Sequence, residues 1–243
     1  MASSISQRER FTILLANKKG LSMKPVNSVF AAAAFSLAAI GAPAAQAEGV
    51  EVLKEGFGNV GGLSGWAQLN NSLPAAGDGW FQGNTAIFSA QAGAADAYAA
   101  ANFLGAANGV GTVDNWLITP TLNLSGITVL NFYTRYSADP GFNDLLEVRY
   151  SSGSGLDPAG FATILATVGG NADYPTDWQQ FSATLDASGT GRFAFRYHGP
   201  ADTLSYVGLD SVRVVTAVPE PSAWAMLGAG LGLLGLRRRQ SQA

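Results

Sequence analysis

Short apolar or alternating runs recur from residue 50 to residue 215, and glycine, proline, asparagine, aspartate or serine separates each run from the next. The clearest run, Thr128–Tyr136, alternates strictly between two faces. One face carries Val129, Asn131, Tyr133 and Arg135, and the other carries Leu130, Phe132, Thr134 and Tyr136. A period of two is typical of a β-strand with one buried face. About ten such runs at short spacing predict an all-β fold, a two-sheet sandwich of the jelly-roll type.

One alanine-rich segment, Ala90–Ala107, is ambiguous, because alanine favours the helix more than any other residue. The segment also contains Gly93, Asn102 and Gly105, and it lies between predicted strands. We therefore predict a strand at Ala97–Phe103 with a loop on each side.

Residues 1–47 have the layout of an export signal. Met23-Lys24-Pro25 supplies a positively charged start, Val29–Ile40 an apolar run, and Ala45-Gln46-Ala47 a small-residue cleavage site. Signal peptidase is expected to cut after Ala47. Residues 1–22 fit no part of this plan, and we interpret Met23 as the true start. A long leader starting at Met1 would lead to the same export.

The C-terminal stretch from Val218 to Arg239 has three parts. Pro219-Glu220-Pro221 comes first, the apolar run Ala223–Leu236 follows, and Arg237, Arg238 and Arg239 close it. As a helix the apolar run would measure about 21 Å, against about 30 Å of membrane hydrocarbon. Each of its glycines weakens a helix by about 1 kcal/mol relative to alanine. We predict a single short helix that holds the chain in the inner membrane in transit, with its arginines in the cytoplasm. A permanent anchor is the alternative.

This layout resembles the PEP-CTERM sorting signal of exopolysaccharide-producing Gram-negative bacteria. The resemblance implies that a membrane-embedded exosortase recognises Pro219-Glu220-Pro221 and processes the chain near it. The mature protein would then lack residues 224–243. The expected destination is the cell surface or the extracellular matrix.

The charge of the whole chain, −3, hides an acidic central part. Residues 48–218 keep six of the fourteen basic residues and fifteen of the seventeen acidic ones, which gives a formal charge of −9. Such a domain repels nucleic acid phosphates and anionic lipid, so no nucleic acid partner is expected. The chain has no cysteine, which excludes disulfides, thiol nucleophiles and cysteine-ligated zinc or iron–sulfur centres.

Several motifs between residues 48 and 217 resemble the choice-of-anchor J domain. They are Glu55-Gly56-Phe57, Gly65-Trp66, Ala97-Tyr98, the run Asp114–Pro120, the run Leu145–Ser151, Trp178, the run Phe193–Tyr197 and the run Gly208–Val214. The family is similar to the cleaved-adhesin and MAM domains, which are jelly rolls that mediate adhesion and binding. The resemblance therefore implies a jelly roll with a binding or adhesive role, and it identifies no ligand.

The same resemblance implies a structural calcium ion where the first and last strands meet. The matching residues are Glu55, Asp114 and Asp210. Calcium takes six to eight oxygen ligands, mixing carboxylates and carbonyls. Another interpretation is that Asp114 and Asp210 bond backbone N–H groups in turns while Glu55 is exposed.

Exposed aromatic rings can stack on the sugars of a matrix polysaccharide. Trp80 and Tyr174 lie in loop-like surroundings and are the candidates for this role. We interpret most other aromatic residues, Tyr133 among them, as part of the core.

No residue is predicted to be catalytic. His198 is the only histidine, the chain has no Gly-x-Ser-x-Gly elbow, and no motif favours any pair of carboxylates for glycoside hydrolysis. The sequence therefore predicts a non-enzymatic adhesive or structural module of the biofilm matrix, in contact with exopolysaccharide. A secreted hydrolase acting on polysaccharide and a calcium-stabilised carbohydrate-binding module are the alternatives.

Overall fold

The computed structural model of the protein describes residues 49–170 and 173–218. In these residues the secondary structure is twelve β-strands and five short 3₁₀ turns, with no α-helix. The strands are β1 Val50–Glu55, β2 Ala67–Asn70, β3 Trp80–Gln82, β4 Ala99–Asn102, β5 Thr112–Ile118, β6 Leu122–Leu124, β7 Ile127–Tyr136, β8 Leu145–Ser152, β9 Thr163–Gly169, β10 Gln179–Asp186, β11 Gly189–Pro200 and β12 Tyr206–Thr216.

The strands form two six-stranded antiparallel sheets. Sheet 1 has the order β10-β7-β12-β4-β3, and β1 also pairs with β12. Sheet 2 has the order β2-β5-β11-β8-β9, and β6 also pairs with β11. The predicted all-β, two-sheet sandwich is therefore confirmed. The predicted signal peptide and sorting helix lie outside the described residues.

The last strand, β12, organises sheet 1. One edge of β12 pairs with β7, and the other edge is shared end to end by β1 and β4. A β-bulge interrupts the β7 pairing between Asp210 and Arg213, and Ser211 within it has a φ of 52°. A bulge adds a residue and bends the strand. Here it lies where β1 ends and β4 begins.

The core lies between the two sheets and follows the alternation of the sequence. On β7, Leu130, Phe132 and Thr134 are buried, whereas Asn131 and Tyr133 on the opposite face are half-buried. From sheet 2, Leu117, Val148, Phe193 and Phe195 face the same core. This interior supplies the apolar burial that stabilises a domain without disulfides.

The alanine-rich segment forms a strand, as predicted, although the strand is shorter than expected. Ala99–Asn102 pairs with β12 on one side and with β3 on the other. Ala99, Ala100 and Ala101 are completely buried. Pairing on both edges overrides the helix preference of alanine, because tertiary contacts outweigh propensities of a few tenths of a kcal/mol.

Candidate ligand-binding site

The structure buries both aromatic residues that the sequence suggested for sugar stacking. Trp80 is 1% exposed and belongs to the core between the sheets. Tyr174 is 6% exposed, and its hydroxyl lies 2.6 Å from the Thr134 hydroxyl. Burial raises the pKa of Tyr174 far above its ordinary value. A stacking ring must offer a face to the ligand, so the stacking prediction for Trp80 and Tyr174 is wrong.

The three carboxylates suggested for calcium do not lie together. Asp114 is on sheet 2, where its Oδ1 lies 2.6 Å from Arg196 Nε and accepts a 2.9 Å hydrogen bond from the Trp116 indole N–H. Glu55 ends β1 on sheet 1 and accepts a 2.8 Å hydrogen bond from the Phe57 backbone N–H. The carboxylates of Glu55 and Asp114 thus lie on different sheets.

Asp210 is fully buried, and both of its oxygens are occupied by donors of the same chain. Oδ2 accepts backbone N–H groups of Gln91 at 2.9 Å and Ala92 at 3.1 Å. Oδ1 accepts the Ser211 backbone N–H at 2.5 Å. Burial raises the pKa of Asp210, and these hydrogen bonds act in the opposite direction. Within the described ranges no three Asp, Glu or His side chains are grouped to hold a metal ion. Glu55, Asp114 and Asp210 therefore do not fit a calcium site.

The residues assigned to sorting and cleavage lie outside residues 49–218. They are Ala45 and Ala47 at the signal cleavage site, and Pro219, Glu220, Pro221, Arg237, Arg238 and Arg239 in the tail. In the part of the chain that the structure describes, no helix is long and apolar enough to cross a membrane.

A depression of about 410 Å³ opens on the outer face of sheet 1, next to the β12 bulge. Its polar lining comes from Lys54, Glu55, Gln91, Asn131, Tyr133, Gln180, Ser211 and Arg213. Seven of these residues lie on strands, which hold side chains more rigidly than loops do, and Gln91 lies on a loop. We call this surface the sheet 1 depression.

The strand pairing brings the lining residues together. Tyr133 on β7 is directly opposite Gln180 on β10, so the two side chains share the outer face. Asn131, two residues earlier on β7, accepts a 2.5 Å hydrogen bond from the Ser182 hydroxyl. On the other side, the Ser211 hydroxyl donates a 2.9 Å hydrogen bond to the Gln91 side chain. With Lys54 and Glu55 of β1, the polar groups thus face the depression from four strands and one loop.

The chemistry of the sheet 1 depression suits a hydroxylated ligand. Side-chain amides offer both donors and acceptors, and a tyrosine combines an apolar ring with a polar tip. A shallow site of this kind, with a few convergent polar groups around an apolar body, is a default candidate for binding. Tyr133 was predicted to lie in the core, and that prediction is wrong, because its side chain is on the outer face of sheet 1. The signal was present, because the alternation of β7 places Tyr133 opposite the Phe132 face.

A second cluster of charged side chains lies on the outer face of sheet 2. Arg196 Nη1 is 3.3 Å from Glu147 Oε2, and Arg149 Nε is 2.8 Å from the same oxygen. The Arg196 guanidinium also lies 5.1 Å from the Trp116 ring. His198 Nε2 lies 3.2 Å from Glu147 Oε2.

The charges of this cluster compensate one another. Burial alone would raise the pKa of Glu147, but Arg149, His198 and Arg196 outweigh it and hold the pKa below its usual range. Burial, together with the Arg196 charge, lowers the pKa of His198. The carboxylate of Glu147 is thus neutralised within the protein, and we interpret the cluster as structural.

Asp144 is a further buried carboxylate, 1% exposed at one end of the sandwich. Its Oδ1 accepts a 2.5 Å hydrogen bond from the Tyr197 hydroxyl and a 3.0 Å hydrogen bond from the Ser205 backbone N–H. Burial raises the pKa of Asp144. Its Oδ2 has no hydrogen-bond partner among the described residues, and Asp144 borders a cavity of about 350 Å³ that Asn143 and Tyr174 also line.

Comparisons with known proteins found matches for the C-terminal sorting signal and for the β-sandwich. Residues 217–240 match the PEP-CTERM protein-sorting motif. The K1 cleaved adhesin domain of Lys-gingipain from Porphyromonas gingivalis is similar, with 26% identity and a TM-score of 0.54 over 69% of this chain and 99% of that domain. The K3 cleaved adhesin domain of the same protein has 24% identity and a TM-score of 0.51 over the same shares. No curated protein matches this chain.

The fold and the motif define the class of protein. The described residues form a β-sandwich like that of the cleaved adhesin domains, and the chain ends in a PEP-CTERM sorting motif. The motif marks an exported, surface-associated protein that an exosortase-dependent pathway sorts. The sorting signal predicted at residues 218–239 is confirmed, whereas the assignment to the choice-of-anchor J family stays a prediction.

Proposed function

We propose that this protein is a non-enzymatic surface module that binds polysaccharide of the extracellular matrix through the sheet 1 depression. The observation that carries the proposal is the half-buried Tyr133 ring on a rigid strand, with Gln180 directly opposite and Asn131 beside it. An exported protein with such a surface meets polysaccharide at its destination. The adhesive role follows from the same contact.

The pKa shifts and the burial of the carboxylates in the described residues favour a binding role over hydrolysis. A glycosidase needs a carboxylic acid of raised pKa that faces the substrate. Burial raises the pKa of Asp144 and Asp210. Both oxygens of Asp210 are bonded to its own chain. Asp144, which borders a cavity, is 1% exposed and bonded through Oδ1 to Tyr197 and Ser205. Glu147 has a lowered pKa and is paired with arginine.

The route to the surface belongs to the same proposal. Signal peptidase removes the leader after Ala47, and the apolar tail holds the chain in the inner membrane in transit. An exosortase then processes the chain near Pro219-Glu220-Pro221. The body of the protein stands in the periplasm during this step and is released or anchored at the surface afterwards.

The test is a binding screen of the purified protein against a panel of neutral and acidic bacterial and plant polysaccharides. We expect at least one to bind, and Tyr133→Ala to weaken that binding about tenfold or more, which corresponds to about 1.4 kcal/mol. Tyr133→Phe keeps the ring and retains most of the affinity. Phe142→Ala is the matched control, because Phe142 is an exposed aromatic residue away from the depression. No binding to any polysaccharide would overturn the proposal.

A further inference from the structure

Lys54 and Arg213 lie directly opposite each other across the β1–β12 pair. Directly opposed residues of antiparallel strands point to the same face, and like charges in this position destabilise a sheet. Both side chains are exposed, and both line the sheet 1 depression. Residues 48–218 contain only six basic residues, so this pairing places a third of them at one spot.

The other four basic side chains are already engaged within the protein. Arg149 and Arg196 pair with carboxylates on sheet 2. Arg135 and Arg192 donate hydrogen bonds to backbone carbonyl oxygens. Their positive charges are therefore committed to the fold and are not available to a ligand at the depression.

Lys54 and Arg213 are much less committed. Among the ion pairs of the described residues, none involves Lys54. Arg213 pairs with Glu51 at 2.5 Å, but the two side chains are 53% and 40% exposed. Exposed ion pairs contribute little, so an incoming anion can compete with Glu51 for the guanidinium.

We infer that the sheet 1 depression selects acidic polysaccharides and binds the carboxylate of a uronic acid sugar between Lys54 and Arg213. The inference rests on the proposed polysaccharide-binding function. Arginine matches a carboxylate with two parallel hydrogen bonds, and lysine adds a point charge. The ring of the same or a neighbouring sugar contacts Tyr133, and the amides of Asn131 and Gln180 meet its hydroxyl groups.

The acidic character of the domain does not oppose this assignment. Exposed charges more than about 8 Å apart are largely screened at physiological ionic strength. Glu51 pairs with Arg213, Glu55 lines the depression, and the buried Asp210 lies beneath the loop at Gln91. Glu51 neutralises part of Arg213, so we expect its removal to strengthen the binding of an anion.

The experiment compares alginate, a polyuronate, with carboxyl-reduced alginate, which has the same backbone without the charge. We expect the purified protein to bind alginate at least about tenfold more tightly. Lys54→Gln and Arg213→Gln should each reduce this preference severalfold, whereas Glu51→Gln should increase it. Melting temperatures of the three exposed variants verify that each is folded.

Two results would overturn the inference while leaving the proposed function intact. One is equal binding of alginate and its reduced form. The other is tighter binding to dextran sulfate than to alginate, unaffected by Tyr133→Ala, because this would indicate attraction to any polyanion. A failure to bind any polysaccharide, neutral or acidic, would instead overturn the proposed function itself.

Discussion

Asp210 Oδ2 accepts a 2.9 Å hydrogen bond from the backbone N–H of Gln91, a residue 119 positions earlier in the chain. The carboxylate lies at the β12 bulge, and Gln91 belongs to the loop that forms one wall of the sheet 1 depression. This buried side chain, together with the Ser211 hydroxyl that bonds the Gln91 side chain, holds the loop in position relative to the strands. The wall of the binding surface depends on this contact.

Removing this carboxylate should loosen the wall and destabilise the protein. Asp210→Ala leaves the N–H groups of Gln91, Ala92 and Ser211 without an acceptor, and we expect a loss of about 2–4 kcal/mol in urea unfolding. Polysaccharide binding should weaken under conditions where the variant is folded. Asp96→Asn, an exposed change in the same loop, is the control. Unchanged stability of Asp210→Ala would contradict this account.

The two buried aromatic residues should affect stability and not binding. Trp80→Ala removes a fully buried side chain from the core, with an expected cost of about 3–5 kcal/mol. Tyr174→Phe removes one buried hydrogen bond to Thr134 and should cost about 1 kcal/mol. Polysaccharide affinity, measured where each variant is folded, should equal that of the parent. A selective loss of affinity would revive the stacking role that the structure argues against.

The sheet 2 cluster predicts two separate pH windows of stability. Burial lowers the pKa of His198 from its ordinary 6.5, so the unfolded chain takes up the proton first and stability falls as the pH drops below about 6.5. Glu147 has a pKa lowered from 4.5, so its contribution is present above that value and is lost as the pH falls through the folded pKa. Melting temperatures from pH 8 to pH 3 measure both windows.

The variant His198→Gln separates the two windows. It should flatten the upper window and reduce the lower one without abolishing it, because Arg149 and Arg196 still lower the pKa of Glu147 after the contribution of His198 is lost. An identical pH profile for the variant and the parent would show that His198 does not set the upper window.

Two arginines of similar chemistry should differ sharply in their effect on stability. Arg196 joins Asp114, Glu147 and the Trp116 ring in a half-buried network, and Arg196→Gln should cost about 1–3 kcal/mol. Arg213 makes one exposed pair, so Arg213→Gln should change stability by less than about 0.5 kcal/mol. Urea unfolding of both variants tests the contrast. Equal losses would indicate that burial does not govern these ion pairs.

The tail gives a prediction that does not depend on the sandwich. Processing near Pro219-Glu220-Pro221 should yield a mature protein that lacks residues 224–243, which intact-mass measurement of surface material detects. Glu220→Ala in the sorting motif should leave the tail attached and retain the protein in the membrane fraction. Mature protein that still carries Arg237, Arg238 and Arg239 would contradict exosortase processing.

Much of the fold could be predicted because strands leave a local signature. The alternation of residues 128–136 identified both the strand and its two faces, and the structure shows that the face of Leu130 and Phe132 is the buried one. The sorting motif could also be predicted from the sequence, because a processing enzyme recognises a short contiguous segment. The acidic charge and the absence of cysteine follow from composition alone.

The candidate site could not be located in this way, because its residues meet only through pairing between distant strands. No local pattern places Lys54 opposite Arg213, or Tyr133 opposite Gln180, before the register of the sheets is known. The dependence on strand register also explains why the predictions for Trp80 and Asp114 were wrong. Trp80 lies between loops in the sequence, yet β3 turns its ring into the core, and Asp114 lies on the sheet that does not carry Glu55 and Asp210.

The sequence by itself determined an exported, acidic, cysteine-free β-sandwich protein with a sorting tail, because periodicity, charge and short motifs are local properties. The tertiary structure decided which aromatic ring remains accessible, which carboxylates are buried and which cations are exposed with at most one exposed ion pair. Those outcomes depend on strand register and burial, and both are set by contacts between residues far apart in the chain, such as Lys54 with Arg213 and Gln91 with Asp210.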